Sequence, residues 1–126
     1  MNPKLHIFLR RVSSANQDLD TQEAFDRPFR EVCEKDQILI MNEDDTSANK
    51  LKTVQRPKIM EIIQLIKEDR VSKVYAYDRT RLFRDYYEAQ FFCQLCIEHN
   101  VEIVFTSTSN GHMEFTGDIF IEGILN

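Results

Sequence analysis

Residues 5–14 read Leu5-His6-Ile7-Phe8-Leu9-Arg10-Arg11-Val12-Ser13-Ser14. Leu5, Ile7 and Leu9 alternate with His6, Phe8 and Arg10, the two-residue period of a short strand, and the apolar weight predicts that it is buried. Arg11 to Leu19 is small and polar with no long apolar run, so it reads as a loop. Asp20-Thr21-Gln22-Glu23 then has capping-box spacing. It opens a helix to about Lys35 with Phe25, Phe29, Val32 and Cys33 at helical intervals. Pro28 is expected to kink that helix or end its first segment.

Working outward, the alternation continues. Ile38-Leu39-Ile40-Met41 is a second strand, followed by a polar, acidic loop from Asn42 to Gln55. That loop is long enough to suggest function. Pro57 suits the first position of a helix whose inner stripe is Ile59, Ile62, Ile63 and Ile66. Val71 to Tyr77 is a third strand and Asp78 to Arg84 a charged loop. Asp85 to about His99 is a helix with Phe91, Phe92, Leu95, Cys96 and Ile97 inward, and Val101 to Phe105 a fourth strand. Ser107 to Thr116 is loop-like, and Asp118 to Asn126 begins a last helix. Strands alternating with helices predict an α/β fold with a mostly parallel sheet of four to five strands, helices on both faces. Such sheets bind ligands at the carboxyl ends of their strands. The loops leaving that edge carry Arg11-Val12-Ser13-Ser14, Glu43-Asp44-Asp45 with Ser47, and Asp78-Arg79-Thr80-Arg81 with Arg84. These groups, far apart in sequence, are expected to converge.

Length bounds the rest: 126 residues suit one domain. No apolar stretch is long enough to span a bilayer, and Met1-Asn2-Pro3-Lys4 does not open a signal peptide, so a cytoplasmic location is expected. Three cysteines, an odd number, argue for a reducing compartment rather than a disulfide framework. The net charge of −5 opposes nucleic-acid binding unless the basic residues cluster or most affinity lies in a separate region.

The arginines of interest fall in two short stretches, 10–11 and 79–84, which the fold is expected to bring together. Ser13 lies just past a strand, where a hydroxyl is exposed at the sheet edge, but a bare serine needs activation or a strongly stabilised transition state. Gly-x-Ser-x-Gly is missing, which disfavours hydrolase acyl chemistry. Its neighbours are instead arginines: Arg10, Arg11, Arg79, Arg81 and Arg84. Guanidinium groups match phosphate oxygens bidentately and suit phosphoryl transfer. The plainer reading is a solvated surface, or arginines paired with Asp and Glu.

Arg11-Val12-Ser13-Ser14 with Gln17 resembles the N-terminal signature of the serine recombinases: resolvases, DNA invertases and large serine integrases. Asp44-x-x-Ser47 resembles their second motif, and Arg56-Pro57 opening a helix the third. Asp78-x-x-Arg81-Leu82-Phe83-Arg84-Asp85 resembles the fourth, and the order and separation of all four match over nearly the whole chain. The resemblance implies a resolvase-like, flavodoxin-like winding. It implies that Ser13 attacks the scissile phosphodiester of double-stranded DNA, forming a 5′-phosphoserine link and releasing a 3′-hydroxyl. Four subunits would cut, rotate and rejoin two sites with no cofactor, no ATP and no metal. Arg11, Arg81 and Arg84 would hold the phosphate, Arg56 would add charge, and Gln17 and Ser47 would orient groups, with Asp44 in the second motif. Asp78 or an arginine would protonate the leaving oxygen. The sequence departs from the family in two places. Leu9 stands where a tyrosine is frequent, and the fourth motif admits two registers, Asp78-Arg79 or Arg81 with Arg84. The resemblance also implies a catalytic domain over residues 1–126, ending at the start of an oligomerisation helix, with its DNA-binding region elsewhere. Such a piece alone is expected to be a monomer or weak oligomer.

Rival readings are a metal-dependent nuclease or phosphatase using Glu43-Asp44-Asp45, and a catalytically silent interaction domain. Ser14 is the rival nucleophile. Cys93-x-x-Cys96 reads as core packing, and Tyr86-Tyr87 with Phe91-Phe92 as core or subunit interface.

Overall fold

The computed structural model describes residues 3–12, 16–44, 56–83 and 86–107, with side chains from Leu19 onward in the second of these stretches. Strand β1 (Leu5–Val12) leads to helix α1 (Asn16–Glu31), a 3₁₀ turn (Lys35–Gln37) and β2 (Ile38–Asp44). Helix α2 (Pro57–Lys67), β3 (Val71–Ala76), a second 3₁₀ turn (Arg79–Arg81), α3 (Tyr86–Glu98) and β4 (Glu102–Phe105) complete the order. The sheet order is β2-β1-β3-β4, every pairing parallel, so β1 lies inside the sheet with β2 and β3 as neighbours.

Two apolar layers hold it. Ile7, Leu9, Val74 and Ile103 face the inner stripe of α2, which is Ile59, Ile62, Ile63 and Ile66 as the sequence predicts, and Phe92, Cys93 and Cys96 of α3. On the opposite face Phe8, Tyr75 and Val104 take Phe29 and Cys33 from the α1 side. Phe8 and Tyr75, register partners, stack with ring centres 4.1 Å apart.

Several boundaries differ from the sequence reading, each for a physical reason. β1 continues through Arg11 and Val12, and β2 through Asp44, because the two strands pair as far as Val12↔Asp44. Helix α1 starts at Asn16 rather than Asp20, so the capping box is not its beginning. Pro28 lies inside α1 without ending it, and the helix stops three residues later at Glu31. Val32 lies past the helix and is 84% exposed, and Phe25 is 44% exposed. In α3, Phe91 and Ile97 turn outward. A helix buries only the stripe that faces the sheet, and Ala89, Phe92, Cys93, Leu95 and Cys96 fill it. The expected loop of 107–116 and last helix of 118–126 lie outside the described residues, apart from Ser107.

Two helix ends lack glycine where it is favoured. Asp69 and Asn100 both take φ 57°. Arg70 N–H donates to Leu65 O (3.1 Å) and Val101 N–H to Cys96 O (2.8 Å), each closing a helix with a left-handed residue. Among the described residues no helix is long and apolar enough to cross a membrane.

Candidate active site

The carboxyl end of β1 separates its two arginines, because successive side chains on a strand point to opposite faces. Arg10 goes under α1 and is 6% exposed. Its Nε donates to Asp26 (2.9 Å), its Nη2 to the other Asp26 oxygen (3.2 Å) and its Nη1 to Glu23 (3.5 Å). Arg30 donates to the same Asp26 carboxylate. Arg10 is thus paired with acids and fastens α1 to the sheet. Arg11 turns the other way, and its Nη2 donates to the Thr80 carbonyl of the second 3₁₀ turn at 3.3 Å. The first and fourth motifs therefore meet across the sheet edge.

The backbone of Arg11 is held by a residue that the sequence reading placed only in a capping box. Arg11 N–H donates to Gln22 Oε1 (2.8 Å), and Gln22 Nε2 donates to Arg11 O (2.9 Å). Gln22 is 2% exposed and takes the place a strand neighbour would occupy on that side of β1. The available signal was its spacing with Asp26 and Phe29, which puts a polar group on the inner face of α1.

The second and third motifs form one buried unit. Glu43 and Asp44 alternate on β2, so their carboxylates point to opposite sides. Asp44 is exposed and stands beside Val12, the residue before Ser13. Glu43 is 2% exposed and is paired with Arg56, which is fully buried. Arg56 Nε and Nη2 donate to the two Glu43 oxygens, Nη1 to Leu82 O (3.3 Å) and Nη2 to Arg81 O (2.6 Å). Its backbone precedes Pro57, the first residue of α2, and its carbonyl accepts Met60 N–H (2.8 Å). The charge expected at the start of α2 is therefore turned inward and matched by Glu43. What Arg56 does is fix the turn that carries Arg81.

In that turn Asp78 is the N-cap, accepting from Thr80 N–H (3.0 Å) and Thr80 Oγ1–H. The carboxylate offered as an acid is oriented along its own turn. The Arg81 guanidinium carbon lies 5.8 Å from the centre of the Tyr77 ring. Ser13, Ser14, Ser47 and Arg84 lie outside the described residues, as does the side chain of Gln17, whose backbone is in the first turn of α1.

Of the acidic run, Asp45 lies outside the described residues. Glu43 is committed to Arg56, Asp44 points away from it, and no three metal-ligating side chains converge among the described residues. Cys93 and Cys96 are buried in α3, and burial pushes the Cys96 thiol up, which suits packing and not redox work.

The family described as Resolvase, N terminal domain, matches residues 6–125. The chain belongs to the resolvase family. By that membership this resolvase is a serine recombinase of site-specific DNA recombination, a family that acts on DNA. It is similar in fold to the first open reading frame product of transposon ISC1904 from Sulfolobus solfataricus P2, with a TM-score of 0.62 and 18% identity over 94% of this chain and 76% of that one. A serine recombinase from Sulfolobus solfataricus gives 0.58 and 20%, covering 86% and 73%. A resolvase family site-specific recombinase from Streptococcus pneumoniae gives 0.55 and 19%, covering 94% and 82%. At such identities the likeness is one of fold. No curated protein sequence matches the chain.

Proposed function

We propose that this resolvase cuts and rejoins DNA through Ser13, as follows. The Ser13 hydroxyl gives up its proton to solvent as its oxygen attacks the scissile phosphorus, the bond from phosphorus to the 3′-oxygen breaks, and the 3′-oxygen leaves as a hydroxyl after taking a proton. The 5′-phosphate stays on the serine until the 3′-hydroxyl of an exchanged end reverses the step. Arg11, Arg81 and Arg84 bind the phosphate oxygens, where negative charge grows in the transition state. Asp78, or one of the arginines, supplies the proton. Gln17, Asp44 and Ser47 orient the reacting groups. Arg56 contributes by holding the turn of Arg81 in place.

The observation that carries this reading is the contact of Arg11 with Thr80. It joins the strand end that leads to Ser13 with the turn that bears Arg81, two places 69 residues apart. Double-stranded DNA is the substrate. Self-association to a dimer and then a tetramer supplies the four active sites that two double-strand breaks need, and sequence-specific affinity comes from a region beyond this catalytic domain. That division accounts for a recombinase domain with a net charge of −5.

The test uses the full-length protein, DNA flanking its own gene, and EDTA. A covalent protein–DNA band on a denaturing gel that Ser13→Ala abolishes is the expected result. Cleavage that needs magnesium and survives Ser13→Ala would sink the proposal and favour a metal-dependent nuclease.

A further inference from the structure

We infer that Tyr77 is a positioning residue for Arg81, an assignment that rests on the phosphoryl-transfer reading above. Arg81 has two kinds of anchor. Its backbone is fixed by the buried Arg56, which donates to its carbonyl, and by its own N–H donating to Asp78 O (3.2 Å). Its side chain is long, and its head must meet a phosphate. The head lies over the Tyr77 ring, 5.8 Å from its centre, within range of attraction between a cation and the negative face of an aromatic ring.

Tyr77 is itself held. Its carbonyl accepts Ser107 N–H (3.0 Å), which extends the β3–β4 pairing past the last strand residues. Its ring meets Phe25 of α1 edge-on, centres 5.3 Å apart and planes at 87°. The residue next to Phe25 is Asp26, which locks α1 to β1 through Arg10. A rigid path therefore runs from the ion pair under α1, through two crossed rings, to the guanidinium of Arg81. A half-exposed phenylalanine at the active edge has a reason to be there: it keeps the Tyr77 ring upright. The ring face is what acts, so phenylalanine should replace tyrosine and an aliphatic side chain should not.

The experiment compares wild type, Tyr77→Phe and Tyr77→Leu in the full-length protein on duplex DNA flanking its own gene. It reads the single-turnover rate of covalent complex formation beside equilibrium DNA affinity and thermal midpoint. Tyr77→Leu should slow the covalent step by about 3- to 30-fold, the range of one cation–π contact, with affinity changed less than about 2-fold. Tyr77→Phe should keep the wild-type rate. In the NMR spectrum the Arg81 side-chain protons should be shifted upfield by the ring in wild type and Tyr77→Phe, and lose that shift in Tyr77→Leu. A wild-type rate in Tyr77→Leu overturns the role of Tyr77 alone. A rate that drops equally in Tyr77→Phe overturns it too, because the hydroxyl and not the ring would then be acting. No covalent complex from wild type overturns the serine chemistry and this role with it.

Discussion

Replacing Glu43 by Gln should destabilise the domain out of proportion to the one atom changed. Arg56 and Glu43 are both within a few per cent of complete burial. Two unit charges about 4 Å apart attract by about 4 kcal/mol at an effective dielectric constant near 20. Removing one partner of such a pair costs about 3–5 kcal/mol, because the other charge is left buried without compensation. Arg56 keeps its bonds to the carbonyls of Arg81 and Leu82, and a glutamine oxygen can still accept one bond, so the low end, about 3 kcal/mol, is expected. Against a total stability of about 5–15 kcal/mol this is a large share. Urea unfolding followed by circular dichroism should show the midpoint fall by more than about 1 M with an unchanged slope. Glu43→Met with Arg56→Met should cost less than either single change, since no lone charge remains. A Glu43→Gln cost under about 1 kcal/mol, or a double variant equal to the sum of the singles, would refute the argument.

Three further outcomes follow from the geometry. Asn100→Gly should raise stability by up to about 1 kcal/mol, a few degrees in Tm, because glycine takes φ 57° without strain; calorimetry showing no rise would count against this. Burial, and then the Lys73 cation, holds the His6 imidazole below its ordinary 6.5, so the unfolded chain binds the proton more readily. Stability should be full above about pH 6.5 and decline as the pH falls below it, and His6→Gln should flatten that slope in midpoints measured from pH 7.5 to 5.5. Gln22→Leu should strip both bonds from the Arg11 backbone, cost about 1–3 kcal/mol and slow covalent complex formation; unchanged values for both would show that the clamp is idle.

The sequence made the layered plan legible because apolar spacing is a direct record of burial. Ile59, Ile62, Ile63 and Ile66 could only be one stripe, and the alternation from Leu5 to Leu9 only a strand. Where polar residues form regular structure, that record is silent. Asn16 to Leu19 begins α1 with no apolar pattern, and Arg11 and Val12 belong to β1 because β2 and Gln22 satisfy their backbone. The arginines divide in the same way. Composition and motif order bring Arg10, Arg11, Arg56 and Arg81 to one edge. Only the fold tells that Arg10 and Arg56 are enclosed by carboxylates while Arg11 reaches across to the turn of Arg81. A residue's charge is written in the sequence, and its direction is set by neighbours that come from elsewhere in the chain.

The position of β1 has a consequence for how the molecule is made. Of the four strands in this sheet it is made first, yet His6 must wait for Ile38 on one side and Lys73 on the other. A nascent chain halted before Val71 would carry a hydrophobic strand with one side open to any passing partner. Synthesis through β3 closes that side, and β4 then covers the edge of β3. Until β3 is made, that open side is the part of the newborn sheet most exposed to misassociation.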